Sequence, residues 1–62
     1  MYNVNNVSKW YADYKYSVIR ECDNEYWYYG SYDTIERAQE VCKTLSNGLV
    51  VESDSIKVEY FN

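Results

Sequence analysis

Residues 25–45, EYWYYGSYDTIERAQEVCKTL, run from an aromatic strand into an amphipathic helix with almost no loop between them. Period-two alternation places Tyr26, Tyr28 and Tyr32 on one face of the strand and Trp27 and Tyr29 on the other. A strand apolar on both faces is either covered on both sides or leaves one side exposed. One helix covers one side, so the pattern predicts an interaction surface. Gly30 interrupts the run, which predicts a bulge or a close backbone approach by the following helix. Such a bulge would swap the faces midway. Asp33 is placed to cap the helix, with Glu36 three residues later completing a capping box. Ile35, Ala38, Val41, Cys42 and Leu45 form one helical stripe, and Asn47-Gly48 predicts a left-handed stop.

The rest of the chain has to complete a sheet for this helix. Residues 14–22 read as a strand, with Tyr14, Tyr16, Val18 and Arg20 facing the core and Lys15, Ser17, Ile19 and Glu21 facing away. Asp23 and Asn24 suit a tight hairpin turn. Residues 49–51 and 56–61 supply one more strand or a hairpin, with Ile56, Val58 and Tyr60 inward. Residues 1–9 read as a loosely ordered arm, in which Val4, Val7 and Trp10 recur every three positions, and Trp10 and Tyr11 anchor it to the sheet. The prediction is a single α+β domain spanning residues 1–62: a small antiparallel sheet of three to four strands with one α-helix packed on one face. A chain of 62 residues buries only about 60% of its unfolded surface. Its nine Tyr, two Trp and one Phe therefore have to supply much of the core and still leave aromatics at the surface.

Charge and chemistry narrow the function. Ten acidic and six basic residues give a net charge of −4, opposite to the basic patch that nucleic-acid binding normally requires. There is no histidine to act as a general base and no phosphate-cradling glycine loop, so no enzymatic activity is expected. Cys22 and Cys42 do not form a CxxC unit. Neither a metal nor a cofactor is expected, and the two thiols read as free and largely buried, with a disulfide between them as the alternative. Residues 1–10 carry no signal-peptide pattern, and no run approaches the roughly 20 apolar residues of a membrane span. A cytoplasmic location without membrane attachment is expected.

Tyr29, Gly30, Ser31, Tyr32, Asp33, Thr34, Glu36 and Ala38, with YSVIRE upstream, form a pattern that resembles the APETALA2-type DNA-binding domain and the related arm-binding domains of phage integrases. The resemblance covers about half of the chain and lies on scaffold residues. It implies a three-stranded antiparallel sheet against one helix, with the open sheet face entering the DNA major groove through arginines and tryptophan. The segment from Glu25 to Asp33 has no Lys or Arg, and the first strands offer only Lys9, Lys15 and Arg20.

The small, acidic, Tyr-rich character also resembles phage-encoded inhibitors of host defence, anti-CRISPR proteins among them. That resemblance implies carboxylates presented in place of phosphates. Strand residues two apart lie roughly 7 Å apart on one face, a spacing that Glu21, Asp23 and Glu25 share along the chain. The expected function is a non-enzymatic inhibitor acting as a DNA mimic. It binds a host nucleic-acid-processing or defence protein through Glu21, Asp23, Glu25, Tyr26, Trp27, Tyr28 and Tyr29. The alternatives are a divergent DNA-binding module using Lys9, Lys15 and Arg20, and a self-associating module or homodimer.

Overall fold

A computed structural model describes residues 1–61. The helix and the aromatic strand stand as expected, but the sheet around them is larger and mixed. Its strands are β1 (Tyr2–Asn5), β2 (Tyr16–Cys22), β3 (Glu25–Tyr32), β4 (Gly48–Glu52) and β5 (Ile56–Val58), in the order β4-β2-β3-β1-β5. β2 pairs antiparallel with both β3 and β4, whereas β1 runs parallel to β3 and β5. The fold is α+β, a five-stranded mixed sheet with one helix, α1 (Ile35–Cys42), packed against it.

The mixed character comes from the amino-terminal segment. The expected loose arm is a strand near the centre of the sheet, and Val4 and Val7 are fully buried. Its alternation is Tyr2-Asn3-Val4-Asn5: Val4 pairs with Tyr26, and Asn5 pairs with Trp27. Asn6, at φ 64°, breaks the strand in the left-handed conformation that asparagine tolerates. Trp10, expected to anchor this segment, is instead 61% exposed, while Tyr11 packs on the core.

β4 and β5 are not a hairpin. They lie on opposite edges of the sheet, joined by a short 3-10 turn, Ser53–Ser55. Five residues from Val51 to Ile56 reach at most about 17 Å when extended. Five flat strands span about 19 Å from first to last. The sheet therefore has to curl. Val51 of one edge strand and Ile56 of the other meet in the same cluster, with Val4, Val7 and Ile19. The inner face thus encloses its own core, lined further by Tyr2, Tyr11, Tyr26, Tyr28 and Val58. Fully burying an aliphatic side chain of this size stabilises by about 1.5–3 kcal/mol.

The helix packs on the opposite, outer face, over β2, β4 and β3. Val18 lies on that face with its partners Gly30 and Val50. Ser17 and Ile19 point inward, and all three are fully buried. β2 is thus buried on both faces over its first half, which corrects the expectation that Ile19 and Ser17 face away. Tyr60, expected inward, is 72% exposed. The helix begins one residue later than expected. Thr34 is the cap, its Oγ1 accepting a hydrogen bond from the Arg37 backbone N–H at 3.2 Å. The helix ends at Cys42 instead of Leu45, and Asn47, at φ 59°, supplies the left-handed turn into β4. Only Ala38 of the apolar stripe is fully buried.

Candidate binding surface

Two features of β3 decide what faces out. At its start, Asp23 (φ 54°) and Asn24 (φ 67°) form the two-residue turn with both φ values positive that suits a right-twisted hairpin. In its middle the register with β2 slips: Val18 pairs with Gly30, but Ile19 pairs with Tyr28. Tyr29 is the extra residue of a bulge. The expected bulge at Gly30 is therefore present one residue earlier, and it does swap the faces. Tyr26, Tyr28 and Ser31 face inward, while Trp27, Gly30 and Tyr32 face outward.

Gly30 also differs from expectation in what approaches it. A Cβ at Gly30 would lie 2.7 Å from the Tyr32 phenol oxygen, so the ring of Tyr32, and not the helix, occupies that space. Burial, chiefly, together with the neighbouring Tyr29 and Tyr28, raises the Tyr32 phenol above its ordinary value of 10.0, and Arg37 partly opposes this. On the inner face, the Ser17 hydroxyl shares hydrogen bonds with Ser53 at 2.7 Å and Ser31 at 2.9 Å, and Ser31 shares another with the Tyr28 hydroxyl. This buried chain pins the crossing between β4 and β5 beneath the sheet.

The seven expected binding residues separate accordingly. Tyr26 and Tyr28 belong to the inner core; Tyr26 also stacks edge-on against Tyr2 at 5.3 Å. Trp27 and Tyr29 are 42% and 48% exposed. With Arg20, which pairs with Trp27, and with Cys22, they line a shallow groove of about 290 Å³ on the outer face beyond the helix. The acids do not form a row. Glu21 lies opposite Tyr26 on the inner side, Asp23 sits in the turn, and Glu25 is on the outer side, where it accepts a hydrogen bond from Asn5 Nδ2 at 3.1 Å. The hairpin turn reverses the chain between Glu21 and Glu25, so their spacing in sequence does not become a spacing on one face. Cys22, expected to be largely buried, is exposed, and both cysteines are free thiols.

A second groove lies along the same outer face, beside the hairpin end of β3. Its volume is about 450 Å³, and Asn3, Asn5, Glu25, Glu59 and Tyr60 are among its walls. The alternation of residues 56–61 places Glu59 outward, as found, but Tyr60 inward, and Asn3 and Asn5 were not expected on this face. The signal was present in the alternation at residues 2–5, where two asparagines interleave with Tyr2 and Val4.

Among the described residues, no group of three or more His, Cys, Asp or Glu is arranged to hold a metal ion, and no helix is long and apolar enough to cross a membrane. The chain matches no protein-family model, no curated protein and no solved structure.

Proposed function

We propose that this chain is a non-enzymatic binding protein that inhibits a nucleic-acid-processing protein by occupying its surface. The observation that carries the reading is the exposure of Trp27 and Tyr29 on a strand whose inner face is already committed to the core. Both side chains stand on a sheet pinned on three sides by pairing and by the helix, so docking them costs little ordering entropy. Tryptophan and tyrosine are also the residues most enriched at energetic centres of interfaces. The net charge of −4 suits a partner whose own surface is basic. The acidic hairpin at Asp23 borders the aromatic groove and would add to that attraction.

The DNA-binding alternative draws less support. Its cations do not converge: Lys15 lies over the Tyr16 ring at 5.6 Å, and five steps along the extended chain put it roughly 16 Å from Arg20. The sheet face opposite the helix, which the resemblance would place in a DNA groove, is the one that encloses the core. Self-association through Trp27 and Tyr29 is a further reading, and light scattering over a range of concentrations separates it from a monomer.

The test is capture from a host-cell lysate with the chain as bait, followed by assay of the captured protein. The reading expects a protein that binds or cleaves nucleic acid and loses that activity when the chain is added. A captured protein whose nucleic-acid activity is unchanged at saturating amounts of the chain would contradict it. So would a shift of duplex DNA by the chain alone that weakens steeply with salt.

A further inference from the structure

β4 and β5 are the two edges of the sheet, and they are built differently. β5 is three residues long and carries Lys57, the short and charged form in which edge strands stay unpaired. β4 is Gly-Leu-Val-Val-Glu, without the lysine, proline or bulge that blocks a further strand. Its register fixes which way its backbone points. The Ser53 N–H donates to the Lys15 carbonyl, and the Glu21 N–H donates to the Asn47 carbonyl. Hydrogen-bonded pairs alternate along an antiparallel ladder. Leu49 and Val51 therefore bond to β2, while Gly48, Val50 and Glu52 turn their backbone groups to the open edge. No backbone partner meets these three N–H groups among the described residues, and of their carbonyls only that of Glu52 is engaged, by the Ser55 hydroxyl at 2.6 Å. The side chains along this edge are open as well. Leu49 has the inward parity of its partner Ile19, yet it is 37% exposed. On the outer side, Val50 lines a groove of about 440 Å³ with Gln39, Cys42 and Lys43.

We infer that this edge pairs with β4 of a second copy of the chain, antiparallel about a twofold axis through Val50. Gly48 then faces Glu52 of the other copy and Val50 faces Val50, each pair exchanging two backbone hydrogen bonds. Of the registers that parity allows, this one engages Gly48, Val50 and Glu52 together. The side chains fit the same register. Leu49 is covered by Val51 of the other copy, an apolar pair at the close, non-hydrogen-bonded spacing. Glu52 shares the outward parity of Val50 and lies opposite a glycine, so it meets neither bulk nor like charge there. It is the one ionisable side chain of β4, and it is brought beside a groove whose charged wall is Lys43. That complementarity selects a second copy over an unrelated strand. The twofold axis is normal to the sheet, so both helices and both Trp27/Tyr29 surfaces lie on one side of the dimer. The inference goes beyond the docking reading and does not depend on it.

Sedimentation equilibrium and residue-resolved amide hydrogen exchange test this on the whole chain from about 10 μM to 1 mM, the range of affinity that one short ladder supports. The expected mass rises to twice that of the chain. The Gly48, Val50 and Glu52 amides should slow by about tenfold or more in step with it, while Leu49 and Val51, already bonded to β2, are protected at every concentration. Val50→Pro removes one outward N–H without touching the β2 ladder, and it is expected to stay monomeric. Retained resonance dispersion verifies that this variant is folded. Glu52→Lys, the second variant, sets like charge against Lys43 and is expected to weaken the dimer by about tenfold. The Lys43→Glu, Glu52→Lys double variant exchanges the signs and should regain it. A monomer throughout would overturn the inference, as would a dimer that survives in folded Val50→Pro. Loss of the dimer in the Trp27→Ala, Tyr29→Ala double variant would also overturn it, by moving self-association to the aromatic groove. Protection of Gly48, Val50 and Glu52 that arises only when another protein is added would replace the second copy with a foreign strand. Since the aromatic double variant is expected to keep the dimer while losing the partner, failure of the edge and failure of the docking surface give different results.

Discussion

The phenol of Tyr32 folds back over Gly30, leaving 2.7 Å between its oxygen and the place a Cβ would take. Gly30 has no positive φ, so an alanine there meets no backbone strain, only the ring. Gly30→Ala should therefore cost roughly 1–2 kcal/mol through displacement of Tyr32. Removing the hydroxyl should relieve part of it. Urea unfolding of Gly30→Ala in the wild-type and Tyr32→Phe backgrounds checks this, and a smaller loss in the second background is the expected outcome.

Ser17 holds the crossing between the two edge strands through its contacts with Ser53 and Ser31. Ser17→Ala leaves the hydroxyl of Ser53, a residue only 2% exposed, without that partner. The expected loss is about 1–3 kcal/mol. Thermal unfolding should show a midpoint lower by roughly 4–8 °C for each kcal/mol lost.

The helix cap separates two neighbouring residues. Thr34 accepts the Arg37 N–H, and no such bond from Asp33 is present among the described residues. Thr34→Ala should cost about 1 kcal/mol, and Asp33→Ala distinctly less, as measured by chemical unfolding of the two variants side by side.

The raised Tyr32 phenol gives a pH dependence with a definite sign. Burial first, then the neighbouring Tyr29 and Tyr28, disfavours its ionised form in the folded protein relative to 10.0. The unfolded chain releases this proton at lower pH than the folded one, so it binds fewer protons above about pH 10. The contribution of Tyr32 is fully present below that value and is lost as pH rises through the folded-state value. Wild-type stability should fall more steeply than that of Tyr32→Phe above pH 10 in parallel unfolding series, since the variant lacks this titration.

Local chemistry was readable wherever a residue type forces a backbone conformation. Asp23-Asn24 gave the hairpin, Asn47 the left-handed turn, and the glycine in an aromatic run the neighbouring bulge. Spacing gave the helix, with the cap misplaced by one residue because Asp33 and Thr34 are both good caps and tertiary packing chooses between them. The amino-terminal strand and the placement of β4 and β5 on opposite edges were not readable. Tyr2–Asn5 is a four-residue strand rich in asparagine, a residue depleted in strands, and its stability comes from burying Val4 between neighbours distant in sequence. The sheet edges joined by Ser53–Ser55 depend on curl, a property of the whole sheet. For the candidate surface, aromatic excess on both faces of β3 pointed to Trp27 and Tyr29, which the structure leaves exposed. It could not separate them from Tyr26 and Tyr28, because the inner face is covered by a segment that reads as a loose arm. The row of acids failed for a geometric reason: a two-residue turn stands inside it.

The central claim is that Trp27 and Tyr29 form the docking surface, and partner affinity measured for three proteins tests it most directly. These are the wild type, the Trp27→Ala, Tyr29→Ala double variant, and Trp10→Ala, whose side chain is equally large and more exposed but stands outside the groove. Truncation at an interface centre costs about 2 kcal/mol or more, which is roughly 30-fold in affinity. The account predicts at least that loss for the double variant and wild-type affinity for Trp10→Ala. Unchanged affinity in a folded double variant would contradict it.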